Sequence, residues 1–573
     1  MTSYHAPVED MVYLLDAVLG APATLAALPA HAGFDAALMR QVLDEAGRFA
    51  SEVVAPLNRS GDEVGARWHQ GQVTMPPGFR EAYQAFWRAG WPALAAEPAD
   101  GGQGLPLVLE AVLYEMLSAA NHGWTMAPGL LHGAYECLRH HGSEALKARY
   151  LGRIASGEWL ATMCLTEPHA GSDLGLCRTR ALPQADGSHR IEGTKIFISG
   201  GEHDLTDNIV HLVLARPPDA PPGPKGLSLF LVPKWLDDDG ARNPVVCERI
   251  EEKMGLHASP TCVLRFDAAT GWLIGAPGQG LNAMFVMMNA ARLHVALQGL
   301  GLLDAAWQKA RAYAQERRQM RAPGARETSL IIEHPAVRRL LHTQRAWIDG
   351  GRVLAYRTAV ELDLLRHHLE ASRRAAAERW CALVTPVLKA AFTEQAFLGA
   401  SDCLQVFGGH GYVREWGIEQ HVRDARVTMI YEGTNEIQAI DLLVRKVLGD
   451  GGAALRALLQ TLGADLDPSH PADAAALEPL RALGSLAQQV VDRCRDGDLA
   501  PAHAAATDFL HCAAVALLGW AWTRIEAAQR AHASPAPEPC RNGAAAFNAW
   551  VAPRFELHAR LVAKACQSSA EAA

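Results

Sequence analysis

The sequence predicts a multi-domain chain, mainly α-helical, with a central β-domain and a C-terminal helical extension. Three observations predict it. Apolar residues recur at helical spacing over residues 1–158 and again over 279–455. Between 159 and 278 the texture changes to short β-rich runs separated by Pro and Gly. After a polar stretch at 463–475, Ala-rich helical sequence fills an extension over 470–573. At 573 residues the chain is too long for a single core.

The elements follow in order. Met39, Val42, Leu43, Phe49, Val53 and Val54 repeat near helical spacing. Residues 97–106, Glu-Pro-Ala-Asp-Gly-Gly-Gln-Gly-Leu-Pro, read as a loop. Strands are expected over 189–199, 209–214, 227–232 and 262–266, with a Pro/Gly-rich turn at 217–224. Long helices are expected over 290–318 and 336–365. Residues 463–475 read as a linker. The apolar run 509–522 is interrupted by His511 and is too short to span a bilayer, so it reads as a buried helix.

Composition narrows the class. Hydrophobic residues make up 49% and charged residues 20%, ordinary for a globular protein. A net charge of -9 argues against a nucleic-acid surface, whose affinity rests on neutralising phosphates. The 11 cysteines are scattered, with none at C-x-x-C spacing, which points to reduced thiols. The N-terminus carries Glu9 and Asp10 and no basic stretch, so no signal peptide is expected and the cytoplasm is the expected compartment. No metal site is expected. His140-His141 and His367-His368 lack further ligands at metal spacing and read as solvated faces.

Four short motifs carry chemistry. Leu165-Thr166-Glu167-Pro168-His169-Ala170-Gly171-Ser172-Asp173 is a turn of small polar groups and free backbone N–H that can approach a heteroaromatic ring edge. Lys195-Ile196-Phe197-Ile198-Ser199 ends a strand with an aromatic and a hydroxyl on one face, suited to a flat cofactor. Gln405-Val406-Phe407-Gly408-Gly409-His410-Gly411-Tyr412 lacks Rossmann spacing but lets backbone approach a pyrophosphate. In Tyr431-Glu432-Gly433-Thr434-Asn435-Glu436-Ile437-Gln438, a carboxylate follows an apolar run and precedes a glycine break. A helix starts there with Thr434 or Asn435 as cap. Such a carboxylate can have a raised pKa and serve as a general base. Each motif alone is equally an ordinary turn or strand end. There is no G-x-S-x-G elbow and no Walker A sequence.

In this order the motifs resemble the acyl-CoA dehydrogenase family over about residues 35–450. The chain is most similar to the long bacterial branch that includes 3-methylmercaptopropionyl-CoA dehydrogenase. That likeness rests on Glu252-Lys253-Met254-Gly255-Leu256-His257, Pro260-Thr261-Cys262, the run 287–293, the run 332–339 and the extension. The resemblance implies FAD held between a helical N-terminal domain, a β-domain and a four-helix domain. It implies Met163, Leu165 and Thr166 on one side of the flavin and Phe197 and Ser199 on the other, Ser199 standing where Thr is more usual. Ser172, Asn289 and Arg292 are implied at the acyl-CoA substrate. Arg317, Gln405, Gly408 and Gly409 are implied to reach the FAD of a neighbouring subunit, and Thr434 and Glu436 the FAD on the near side.

Glu432 is the implied base, taking the α-proton of the thioester while FAD receives the β-hydride and the product is a trans-2-enoyl-CoA. Reduced FAD is implied to pass electrons to an electron-transfer flavoprotein. Asn289 replaces the family's frequent Asp before the arginine. Ala291 stands where some members carry the base, which leaves Glu432 as the matching carboxylate. Met320 replaces a common Phe. The substrate is expected to be 3-methylmercaptopropionyl-CoA or a fatty acyl-CoA, and the assembly a homodimer. The alternatives are an acyl-CoA oxidase that uses oxygen and a helical scaffold without activity.

Overall fold

The computed structural model describes residues 4–236, 240–531 and 542–567. It divides into two compact units. A helical unit comprises Met1–Ser51, Pro106–Ala120 and Arg292–Ala573, and a β unit comprises Glu52–Leu105 and Asn121–Ala291. The chain passes between them four times, three of them inside helices. One of these, Leu107–Thr125 (α1), leaves helical geometry at Asn121, with φ -161° and ψ 93°. Asn121 Oδ1 there accepts from Trp124 N at 3.1 Å and restarts the helix.

In the β unit, a small hairpin pairs β1 (Arg67–His69) with β2 (Gln72–Thr74). The main sheet has seven strands: β3 (Leu160–Cys164), β4 (Arg180–Pro183), β5 (His189–Ser199), β6 (Ile209–Ala215), β7 (Ser228–Pro233), β8 (Val245–Ile250) and β9 (Thr261–Ile274). Their order is β3-β6-β7-β9-β5-β4, with β8 also on β9. Only the β3–β6 pair is parallel. Every residue of β6 and β7 is buried, so these strands are apolar except for His211 in β6 and Ser228 in β7. The core gathers Ile191, Ile198, Val213, Phe230, Leu264 and Phe266.

All four expected strands form, and β9 runs well past the expected 262–266. A bulge explains the extension. The register with β5 shifts between Ile191 and Glu192, and Ala268 takes a positive φ of 55°. Polar Asp267 and Thr270 therefore continue a strand whose apolar signal has ended. The strands β1, β2, β3, β4 and β8 were not anticipated, being short or mixed in polarity, and the β1–β2 hairpin interrupts the stretch 1–158 expected to be helical.

In the helical unit, α2 (Gly280–Glu316, from Arg292 onward), α3 (Pro335–His367) and α4 (Ala371–Val406) are the long helices. A buried charge network ties them to α1. Arg352 Nε lies 2.6 Å from Glu115 Oε1 and its Nη2 3.0 Å from Asp304 Oδ2, while Tyr356 donates to Glu115 Oε2 at 2.6 Å. Arg345 pairs with Asp349 and with Asp10 from the N-terminal helix Val8–Tyr13, both at 2.6 Å. Buried charges survive only when paired in this way.

The short helix α5 (Asn435–Ile440) precedes the extension, which contains α6 (Pro471–Arg493), α7 (Ala500–Ala531) and α8 (Arg554–Gln567). The expected linker 463–475 is shorter than the sequence suggested. Helix Ala453–Ala464 precedes it, and Pro471 opens α6, because proline is tolerated in a helix's first turn.

The run 509–522 is indeed in a helix, but that helix has 32 residues, longer than the run implied. It is the one helix among the described residues long and apolar enough to cross a membrane, and 78% of its most apolar window is buried inside the protein. Its cover comes from the same chain. Trp522 Nε1 donates to Ala346 O at 3.0 Å, and Trp520 meets Trp380 edge-on at 5.9 Å. Gly350 leaves the notch for α7, since a Cβ there would lie 2.9 Å from Leu518 and 3.0 Å from Trp522.

Candidate active site

Each unit carries candidate surfaces of its own. In the β unit, β3 runs into the loop that starts at Leu165. The loop closes on itself, with Glu167 and Ala170 exchanging both backbone hydrogen bonds at 3.0 Å. The carboxylate of Glu167 is buried and fully used. It accepts from Arg178 N at 2.7 Å, Thr179 N at 3.0 Å, Thr179 Oγ1 at 2.7 Å and Lys195 Nζ at 2.8 Å. Burial pushes its pKa up, but Lys195 and these donors outweigh burial and hold it at about 2. Lys195 also donates to Leu165 O at 2.9 Å, and Ile196 N to Thr166 O at 2.9 Å.

The end of β5 is therefore bound to this loop. Its register slips between Lys195 and Ile198, and Phe197 takes a φ of 59°. The bulge turns Phe197 outward, 60% exposed, while Ile198 is buried and Ser199 half-buried. Met163, Leu165 and Thr166 are also partly open. The structure thus brings together Met163, Leu165, Thr166, Phe197 and Ser199 as an accessible strip. Ser172 lies exposed on the same loop.

In the helical unit, Glu432 sits in the left-handed region at φ 55°, followed by Gly433 at φ 84°. Such a conformation in a non-glycine residue needs support from its surroundings. Lys389 on α4 supplies it, donating to Gly433 O at 2.8 Å and to Asn435 Oδ1 at 3.0 Å. Asn435 is itself held, donating to Ala390 O at 3.0 Å and accepting from Thr393 Oγ1 at 3.1 Å. The cap of α5 is Thr434, whose side chain accepts from Ile437 N at 3.4 Å. The Gln438 amide donates to Glu432 O at 3.2 Å and Gly433 O at 3.4 Å. Glu436 is exposed. Tyr431 donates to Gln298 Oε1 on α2 at 2.6 Å.

The charges around Glu432 are unusual. Burial raises its pKa to about 7, against the pull of Lys389 and Arg292. Burial lowers Lys389 from the ordinary lysine range, against the pull of Glu432 and Glu436. Arg292 on α2 is buried, its Nη1 3.2 Å from Asp441 Oδ2, and Asp441 also meets Lys446 at 3.1 Å. Arg292 Nε is buried without a hydrogen-bond partner. A carboxyl that titrates near neutrality within the electrostatic reach of Arg292 is suited to proton abstraction next to a carbonyl. Ala291 provides no carboxylate. Asn289 lies on α2, with its side chain outside the described residues.

A third group of residues in the helical unit is exposed: Arg317, Gln405, Gly408 and Gly409. Aromatic packing joins the end of α2 to their glycine turn. Tyr313 stacks on Phe407 at 4.2 Å and donates to or accepts from His410 at 2.9 Å, and His410 stacks on Trp416 at 4.4 Å. Gly408 needs its positive φ of 59°, and a Cβ on Gly411 would lie 2.5 Å from Leu404 O.

Each surface by itself fits part of a flavin dinucleotide: in the β unit an open strip with a hydroxyl, and in the helical unit a bare glycine turn and an exposed arginine. From the sequence alone Lys195, Glu167, Lys389 and Asp441 had no role, and Asn435 only that of a possible cap. A lone Lys in the apolar run 383–392 was the available signal, since lysine is rarely fully buried without a partner. One histidine expected on a solvated face lies elsewhere. His367 meets His31 and Asp363, with ligand atoms within 4.8 Å of one another.

Residues 38–158 match the acyl-CoA dehydrogenase N-terminal domain, 162–269 the middle domain and 278–447 the C-terminal domain. The chain is 44% identical over 468 residues to 3-methylmercaptopropionyl-CoA dehydrogenase of Ruegeria pomeroyi, covering 81% of this chain and 79% of that one. It is 38% identical to a broad-specificity linear acyl-CoA dehydrogenase of Mycobacterium tuberculosis, covering 79% and 77%. The fold is shared with a Bacillus anthracis acyl-CoA dehydrogenase solved with FAD, at TM-score 0.76 and 22% identity over 93% of this chain and 89% of that one. The three domains in order and the extent of identity show that the chain belongs to the acyl-CoA dehydrogenase family and is one of its FAD-dependent enzymes.

Proposed function

We propose that the chain catalyses α,β-dehydrogenation of an acyl-CoA thioester to the trans-2-enoyl-CoA, with Glu432 as the base. The observation that carries this is Glu432 itself: a carboxyl raised to about 7 by burial, in a fixed loop, near Arg292 and with no carboxylate at position 291. FAD, when bound, accepts the β-hydride. Glu432 removes the α-proton at its carboxylate oxygen, and its backbone N–H polarises the thioester carbonyl, stabilising the charge that develops there.

In this reading Met163, Leu165, Thr166, Phe197 and Ser199 hold the flavin ring. Thr434 and Glu436 line its near side, and Ser172, Asn289 and Arg292 orient the CoA thioester. Arg317, Gln405, Gly408 and Gly409 serve the FAD of a partner chain, which makes the working unit a homodimer. Their exposure in one chain supports that assignment. The extension's packing on its own α3 and α4 supports a dimer over a larger assembly, because it covers a helix face a second dimer would use. The electron acceptor is an electron-transfer flavoprotein, and the compartment is the cytoplasm.

The names of the two relatives carry one substrate class each: 3-methylmercaptopropionyl-CoA and linear acyl-CoAs. The higher identity to the first favours a short thioether acyl group. The test is dye reduction by the purified holoenzyme across acyl-CoA lengths, with 3-methylmercaptopropionyl-CoA included. Highest kcat/KM on that substrate supports the assignment. Peroxide release in air at the dye-reduction rate points instead to an oxidase, and no reduction by any acyl-CoA overturns the proposal.

A further inference from the structure

We infer that Lys389 is a positioning residue for this reaction: from α4 it fixes the loop that presents Glu432 and supplies the positive charge facing that carboxylate. The inference rests on the reading of Glu432 as the base.

The geometry is specific. Glu432 and Gly433 both occupy positive φ, so the loop has no regular hydrogen-bond ladder to hold it. Its carbonyls are held by side chains instead. Lys389 Nζ takes Gly433 O at 2.8 Å, and Gln438 Nε2 takes Glu432 O at 3.2 Å. The second Lys389 bond, to Asn435 Oδ1 at 3.0 Å, locks the first residue of α5. Lys389 is fully buried. An ammonium in such a place is costly unless it is both hydrogen-bonded and paired. Two neutral acceptors satisfy part of its hydrogen-bonding capacity, and nearby Glu432 supplies the charge.

The other charged groups packed around the loop do not replace it. Arg292 from α2 is engaged by Asp441, as is Lys446. Tyr431 is neutral, its hydroxyl bound to Gln298, and Asp424 on the helix Glu419–Arg426 is acidic. Glu436 follows on α5 and is exposed. Among these groups Lys389 is the cation bonded directly to the backbone on the C-terminal side of Glu432. A neutral residue there leaves the carboxylate harder to ionise, and the base then needs a higher pH.

The experiment uses the FAD-loaded enzyme, with flavin reduction by a good acyl-CoA substrate followed in stopped flow from pH 5.5 to 9. Lys389→Gln keeps a donor for Gly433 O but loses the charge, and Lys389→Arg keeps the charge. The pH midpoint should rise by about one unit or more in Lys389→Gln. Its rate at pH 7 should fall about five-fold or more, with recovery at high pH, and Lys389→Arg should bring the midpoint back. A role in folding alone would lower the rate at every pH without moving the midpoint, so an unmoved midpoint overturns the inference.

Glu432→Gln is run beside them. If it still reduces the flavin within a few-fold of wild type, the reading of Glu432 fails and the midpoint is not its own. Lys389 is then judged by hydrogen exchange at residues 431–438. Faster exchange in Lys389→Gln upholds its hold on the loop, and unchanged exchange overturns it.

Discussion

The ammonium of Lys195 stands 2.8 Å from Oε1 of Glu167, and both side chains are almost wholly buried. The same ammonium reaches Leu165 O, so one lysine fixes the loop that opens the candidate flavin surface. Lys389 does the corresponding work for the Glu432 loop, through Gly433 O and Asn435. In each unit a candidate loop is thus held by a buried lysine that donates to a loop carbonyl and to a side chain beside it.

Lys195→Met should be strongly destabilising, because it leaves the Glu167 carboxylate buried without its cation. Breaking one partner of a buried pair costs about 3–5 kcal/mol. Denaturant unfolding of the FAD-loaded protein measures this, and a loss below 1 kcal/mol would contradict the role given to the pair. The sign with pH follows from the lowered pKa of Glu167. Its contribution is complete above the ordinary carboxyl value of 4.5 and is lost as pH falls toward about 2. The gap between wild type and a Glu167→Gln variant should therefore narrow across that acid window.

Glu432→Gln keeps the size of the side chain and removes its basicity. Flavin reduction by a good acyl-CoA should slow by about two to four orders of magnitude or more. Bound FAD and its spectral response to a non-reacting substrate analogue should remain, since Thr434 and not Glu432 caps α5. Stopped-flow absorbance reads both, and loss of the yellow colour would assign Glu432 to structure instead.

In the wild-type enzyme the reduction rate should rise with pH through about 7. Burial lifts the carboxyl of Glu432 to that value, and only its deprotonated form accepts the α-proton. A rate independent of pH from 5.5 to 9 would mean that this carboxyl does not take the proton.

Trp522→Ala should cost about 3–5 kcal/mol, the usual loss for truncating a buried aromatic. Trp522 fills the notch at Gly350 and donates to Ala346 O. Because the contact joins α7 to α3, thermal unfolding should show the extension loosening first. Equal stability of the variant and the wild type would separate the extension from the helical unit's core.

The assembly should measure about two chains per particle by multi-angle light scattering. Arg317, Gln405, Gly408 and Gly409 lie exposed in the single chain, as residues serving a partner's cofactor would. A monomer that retains FAD and full activity would remove that role from them.

The sequence alone determined the order of helical and β segments, because local periodicity and turn chemistry report local structure. It also marked the loops at 165–173, 405–412 and 431–438, where Gly, Pro and small polar residues leave few backbone alternatives. Strands β1, β2, β3, β4 and β8 escaped, being short or mixed in polarity, and the second half of β9 was hidden behind the bulge at Ala268.

What only the tertiary structure decided is how those loops are held and charged. Lys195 reaches a carbonyl 30 residues away, and Lys389 one that is 44 residues away. Arg292 finds Asp441 across 149 residues. No local pattern encodes such pairings, because they exist only once helices and strands have packed. The raised pKa of Glu432 has the same origin: desolvation and neighbouring charge belong to the folded environment, and the residue's identity in the chain sets neither.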